Sequence, residues 1–108
     1  MKVNDLVTNN SFKLLNSIDT QLDIETVYIC DLLSWVMAHA GSKCAWITIQ
    51  SHVNIVAVAV LLEMSCIIVP ENVKVEEATL QKAAEENIPI LSTELSSYQV
   101  ACILSKVL

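Results

Sequence analysis

Polar residues able to hold a small molecule recur at three points in this sequence, each directly after a short apolar run. They are Asp31 and Ser34; Thr48, Gln50, Ser51, His52 and Asn54; and Ser92, Thr93 and Glu94. Hydroxyls, amides and an imidazole in such groups can bind an anion or a polar metabolite, particularly beside the unpaired N–H groups that open a helix. Asp31, Ser51 and Thr93 are equally the residue types that cap helices, their side-chain oxygens accepting first-turn N–H groups. The two roles are compatible. His52 is the most pointed candidate, because it falls in the first turn of an apolar helical stretch, where the helix dipole favours an uncharged ring fit to read a ligand. His39, beside Gly41, reads as a surface residue.

Other chemistries are excluded by what the chain lacks. Gly41 is its only glycine, so neither GxxxxGK[ST] nor GxGxxG can be built and no phosphate-gripping loop is expected. Ser34 or Ser92 can be written beside His52 and Asp31 as a hydrolytic triad, but no GxSxG elbow or oxyanion glycine supports it. Twelve acidic residues face six lysines and no arginine, for a net charge of -6. That balance opposes nucleic-acid binding, which depends on cations neutralising phosphates, and it removes the guanidinium fork from any anion site. Cys30, Cys44, Cys66 and Cys102 show no CxxC spacing and no paired histidines, so they read as reduced, buried apolar residues. No metal, cofactor or enzymatic activity is expected.

Alternating strands and helices must position the three polar groups. Lys2 to Asn9 has the spacing of a short helix, Phe12 to Asn16 that of a strand, and Ile18 to Ile24 alternates as an extended edge. Thr26 to Cys30 is β-branched and aromatic, and Asp31 is placed to cap a helix from Leu32 to Ala40. That helix would bury Leu32, Leu33, Val36 and Met37 and end on a left-handed Gly41. Cys44 to Ile49 reads as the next strand, with Ser51 capping a helix, His52 to Met64, so apolar all round that it should be buried. Cys66 to Val69, closed by Pro70, has the continuous apolar run of a central parallel strand. Glu76 to Glu86 is an amphipathic helix with Leu80, Ala83 and Ala84 inward and Asn87 at its end. Ile88 to Ser92 is the last strand, and Thr93 caps a final helix, Glu94 to Val107. Such an order requires crossovers, giving one α/β domain over residues 1–108, a mainly parallel sheet with helices on both faces. The three polar groups then share the C-terminal edge of the sheet, where open α/β sheets bind ligands.

Three stretches carry a family resemblance: Val27-Tyr28-Ile29-Cys30-Asp31-Leu32-Leu33-Ser34-Trp35-Val36-Met37, Trp46-Ile47-Thr48-Ile49-Gln50-Ser51-His52-Val53-Asn54-Ile55-Val56-Ala57-Val58-Ala59, and Ile88-Pro89-Ile90-Leu91-Ser92-Thr93. Together they resemble the small stand-alone DRTGG-domain proteins. Their fold is similar to the N-terminal domain of HPr kinase/phosphorylase, and related domains accompany CBS pairs in pyrophosphatases. The Asp-Arg-Thr-Gly-Gly stretch itself does not occur. The resemblance implies a bacterial regulatory module that often dimerises and is sometimes encoded near iron hydrogenase genes, without kinase activity.

Two functions follow as expectations. One is a non-catalytic regulatory domain binding a small metabolite or nucleotide at the strand-end edge. The other is a dimeric accessory subunit of a redox, hydrogenase-type system, without a small ligand. A hydrophobic fraction of 54% and a mean hydropathy of +0.53 favour a homodimer, with the final helix and Tyr98 as its surface. The longest apolar run, Ile55 to Leu62, is too short to span a membrane, and residues 1–5 lack signal-peptide character, so a cytoplasmic location is expected.

Overall fold

The computed structural model describes residues 1–16 and 18–108. A short helix α1 (Val3–Val7) is followed by the two-residue strand β1 (Lys13–Leu14), then by four parallel strands in chain order: β2 (Thr26–Ile29), β3 (Cys44–Ile47), β4 (Cys66–Val69) and β5 (Ile90–Ser92). The sheet order is β1-β5-β4-β3-β2, with β1 antiparallel to β5. Helices α2 (Leu33–His39), α3 (Asn54–Leu61) and α4 (Glu77–Glu85) make the crossovers, and α5 (Ser97–Ser105) closes the fold.

Because β2 to β5 sit side by side in sequence order, right-handed crossovers return to the same side each time. The three crossover helices therefore share one face, where Val36, Ile55, Val56, Ala59 and Ala83 pack against Trp46, Ile67, Val69 and Ile90. On the opposite face Val3 and Leu6 of α1 and Val100 and Leu104 of α5 cover Ala45, Ile47, Ile68 and Leu91. Neighbouring strand residues alternate between these two cores, as the two-residue period of a strand demands. Every residue of β3 and β4 is buried, which is why those strands read as unbroken apolar runs.

Several expectations change. Ile18 to Ile24 contributes a single bridge, Lys2 with Asp23, rather than a strand. Gly41 does not adopt a left-handed conformation; α2 ends at an extended Ala40, and the left-handed residue is Lys43, just before β3. Of the apolar residues assigned inward on α2, Val36 is buried and Leu33 packs on the core, while Leu32 and Met37 are exposed. Trp35 is exposed too, held by a hydrogen bond from its Nε1 to the Tyr28 hydroxyl at 3.0 Å and stacked on the exposed His39. Helix α3 is not buried all round, since Ala57, Val60 and Leu61 face outward. Inward on α4 are Thr79 and Ala83, with Leu80 partly covered and Ala84 exposed; Asn87 adopts the left-handed conformation just beyond the helix end.

The final helix starts three residues later than expected. Its cap is Ser96, whose hydroxyl accepts the Gln99 N–H at 3.2 Å while the Gln99 side chain accepts the Ser96 N–H at 3.0 Å. This reciprocal capping box satisfies two of the orphan donors at the helix start. Among the described residues, no helix is long and apolar enough to cross a membrane.

Candidate functional site

At the ends of β2 and β3 the predicted residues bind one another. The Asp31 carboxylate accepts the Thr48 hydroxyl at 2.8 Å and the Ile49 N–H at 2.9 Å. Gln50 returns the contact, its Nε2 donating to the Asp31 carbonyl at 2.9 Å and its backbone N–H to the Thr48 hydroxyl oxygen at 3.2 Å. One residue before Asp31, the Cys30 carbonyl accepts the Trp46 indole N–H of β3 at 2.9 Å. Asp31 is thus a latch between two strand ends and not the cap of α2, which begins after Leu32 without any side-chain cap. Thr48 is buried and Ser34 stands exposed on the first turn of α2.

The loop into α3 is organised by other residues than predicted. Ser51 is not its cap: its carbonyl accepts the hydroxyl of the buried Thr79 at 2.7 Å, tying the loop to α4. His52 lies before the helix rather than in its first turn, and its Nδ1 accepts the Asn54 N–H at 3.2 Å. The ring therefore does the work of a cap, and both His52 and Asn54 are exposed.

Ser92 and Thr93 form a separate group, two strands away from Thr48 and so about 10 Å distant at the usual spacing between strands. Thr93 does not cap α5. Its hydroxyl oxygen accepts the Leu95 N–H at 3.2 Å and its carbonyl accepts the Asn72 N–H at 2.9 Å. Ser92 sits opposite Lys13 across the β1–β5 pair. Between the two groups the end of β4 carries Pro70 rather than a polar side chain. Eight of the nine predicted residues are therefore divided among the latch, the entry to α3 and the end of β5, and Ser34 stands apart on α2.

The strand order offers no switch point at the latch. Ligand crevices in open α/β sheets form where the order of parallel strands reverses, and β2 to β5 never reverse. A depression of about 240 Å³ does lie at the end of β5, bordered by Ser92 and Thr93 together with Asn10, Ser11, Lys13 and Asn72. The last four escaped the sequence reading; the Pro70-Glu71-Asn72 turn signal after a strand was the legible hint of one of them.

Among the described residues no buried side-chain nitrogen or oxygen lacks a partner, and no three His, Cys, Asp or Glu residues gather as metal ligands would. The four cysteines are unpaired, and burial pushes the Cys44 and Cys66 thiols up, which suppresses the reactive thiolate.

Fold and edge together define an open, mainly parallel α/β domain with a polar rim at its strand ends. The chain belongs to the DRTGG domain family, whose sequence model matches residues 6–107. Its fold is similar to the CBS and DRTGG domains of the regulatory region of Clostridium perfringens pyrophosphatase, a crystal structure of the complex with the activator diadenosine tetraphosphate. The TM-score is 0.72 at 14% sequence identity, covering 94% of this chain and 45% of that one. At that identity the likeness is one of fold, and this chain spans less than half the length of that structure. No curated protein matches the sequence.

Proposed function

We propose that residues 1–108 act as one non-catalytic regulatory domain that senses a small metabolite or nucleotide at the strand-end edge of its sheet, in the cytoplasm. The observation that carries this reading is the polar depression beside Ser92 and Thr93 at that edge, in a chain that belongs to the DRTGG family. The similarity in fold to a regulatory region bound to a nucleotide activator supports it. Of the nominated residues, Gln50, His52 and Asn54 are exposed on one part of the edge and Ser92 is half-buried on the other, whereas Asp31 Oδ1 and the Thr48 hydroxyl are occupied by the latch.

Thermal unfolding against a panel of nucleotides and central metabolites tests this. A ligand at about 100 times its Kd stabilises by ~2.7 kcal/mol and raises the Tm of a domain this size by ~10 °C. His52→Ala and Gln50→Ala address one part of the edge, Ser92→Ala the other. A shift that survives all three substitutions unchanged places the ligand elsewhere and defeats the assignment.

A second reading, self-association, rests on α3. Val60 and Leu61 are 40% and 63% exposed beside Ala57, and they flank a depression of about 480 Å³ against α4. Its rim carries Lys82 and Glu86, which pair with each other at 3.2 Å and would border an isologous interface. Tyr98 on α5 is more exposed, at 76%, and Ala101 and Ser105 of that helix border a depression of similar volume against β2. The expected result in sedimentation is a dimer that Leu61→Glu converts to monomer; a wild-type chain that stays monomeric at high concentration contradicts it.

A further inference from the structure

The charged residues of this chain are unevenly used. Three of its six lysines, Lys2, Lys43 and Lys82, are ion-paired with Asp23, Glu25, and Glu85 and Glu86 respectively. Among the described residues, Lys13, Lys74 and Lys106 have no such partner. Lys13 and Lys74 border two neighbouring depressions. The depression at the end of β5 that Lys13 lines adjoins a second, of about 280 Å³, that Lys74 lines, and the two share Asn72 and Ser92. The rest of the second depression is apolar, formed by Leu15, Val73, Val75 and Leu80, and no carboxylate borders it. In a chain of net charge -6, a groove with two unpaired cations and a carboxylate-free half is a local reversal of sign. One carboxylate, Glu94, borders the first depression.

Backbone conformation at the junction is also unusual. Glu71 and Asn72 are consecutive left-handed residues, with φ of 61° and 56°. Asparagine tolerates that region, but glutamate rarely enters it. Two hydrogen bonds hold the turn there, the Glu71 N–H to the Leu95 carbonyl and the Asn72 N–H to the Thr93 carbonyl, both at 2.9 Å. The strained turn is what brings Asn72 to the border between the two depressions.

We propose that this Lys13–Ser92–Asn72–Lys74 groove binds an anion with an apolar or planar body: the body against Leu15, Val73, Val75 and Leu80, and the phosphate or carboxylate between the two lysines. Asn72 and Ser92 supply the neutral hydrogen bonds that orient it. The assignment rests on the ligand-sensing reading above and narrows it to the β1–β5 end of the edge, so His52→Ala and Gln50→Ala are expected to leave binding intact.

Isothermal titration of the full chain with AMP, octanoate, adenosine and inorganic phosphate tests the assignment. It is run on the wild type, on the Lys13→Gln/Lys74→Gln double variant and on Lys106→Gln as a control. AMP or octanoate is expected to bind, and the double variant to weaken that binding at least ~10-fold, because charge-assisted contacts are lost. Lys106→Gln should change nothing, and raising salt should weaken the wild type toward the variant. Binding of AMP alone identifies a nucleotide source, of octanoate alone an acyl carboxylate. Because both lysines are exposed, the melting curves of the variants should match the wild type, which confirms intact folding. If adenosine binds as well as AMP and the double variant retains both, the ligand-sensing reading stands and the anion assignment falls. If none of the probes binds at millimolar concentration, this assignment is overturned, and the metabolite panel decides the broader reading separately.

Discussion

Trp46→Ala is expected to remove about 4–6 kcal/mol of this chain's stability, a large share of the total. Trp46 lies on β3 in the interior of the sheet, is fully buried, and packs in the core beneath α2 and α3. Truncating a buried aromatic to alanine costs about 3–5 kcal/mol through lost transfer energy and the cavity left behind. The indole N–H also satisfies the Cys30 carbonyl, and leaving a part-buried acceptor bare adds ~1 kcal/mol or more. A domain of this length has total stability on the order of 5–15 kcal/mol, so the change removes much or all of it. Trp46→Phe keeps a buried aromatic but loses the donor and part of the ring volume, and a smaller loss of ~2 kcal/mol is expected. Circular dichroism in urea measures both variants. Near-wild-type stability for Trp46→Ala would mean that the core does not close around β3 as described.

The same core shows why the sheet was legible. Cys66 to Val69 and Cys44 to Ile47 are buried on both faces, so their sequences carry unbroken apolar runs that few other environments permit. The helix stretch from His52 to Met64 was harder, because an apolar surface records that something covers it without recording what. Composition alone cannot separate a core contact from the outward Ala57, Val60 and Leu61. At the final helix the signal was present but outcompeted. Ser96-Ser97-Tyr98-Gln99 fits the capping-box pattern, whereas Thr93, the first capping-type residue after β5, turns the chain before the helix begins.

The candidate site was legible in part for a related reason. Residues that follow strand ends can be found from local pattern, and so Ser92 and Thr93 were. Lys13 reaches Ser92 only through the antiparallel pairing of β1 with β5, a contact across almost eighty residues that no local periodicity encodes. Asn72 arrives through a left-handed turn whose first residue, Glu71, gives no sequence sign of that conformation. Polar residues also hide their purpose, because the hydrogen bonds that would hold a ligand can equally hold a neighbouring strand.

Asp31 makes that ambiguity measurable. Asp31→Ala is expected to destabilise the chain by ~3 kcal/mol, since it removes two hydrogen bonds to a charged acceptor and strands the hydroxyl of the buried Thr48. Thr48→Val removes the other partner and keeps the shape, for ~1–2 kcal/mol. If the two side chains form a latch, the losses are not additive, and the double variant should be at least ~1 kcal/mol more stable than their sum. Asp31→Asn keeps an acceptor oxygen and should fall between wild type and alanine. Urea denaturation of the four variants supplies every term of the cycle. A ligand-contacting Asp31 predicts the opposite pattern, with stability near wild type, no coupling to Thr48, and loss of any ligand-induced shift in Tm. The latch therefore fails if Asp31→Ala melts like the parent. If it holds, ligand recognition at this edge depends on groups the strands leave unspent, which at the end of β5 are Ser92, Asn72 and the two lysines beside them.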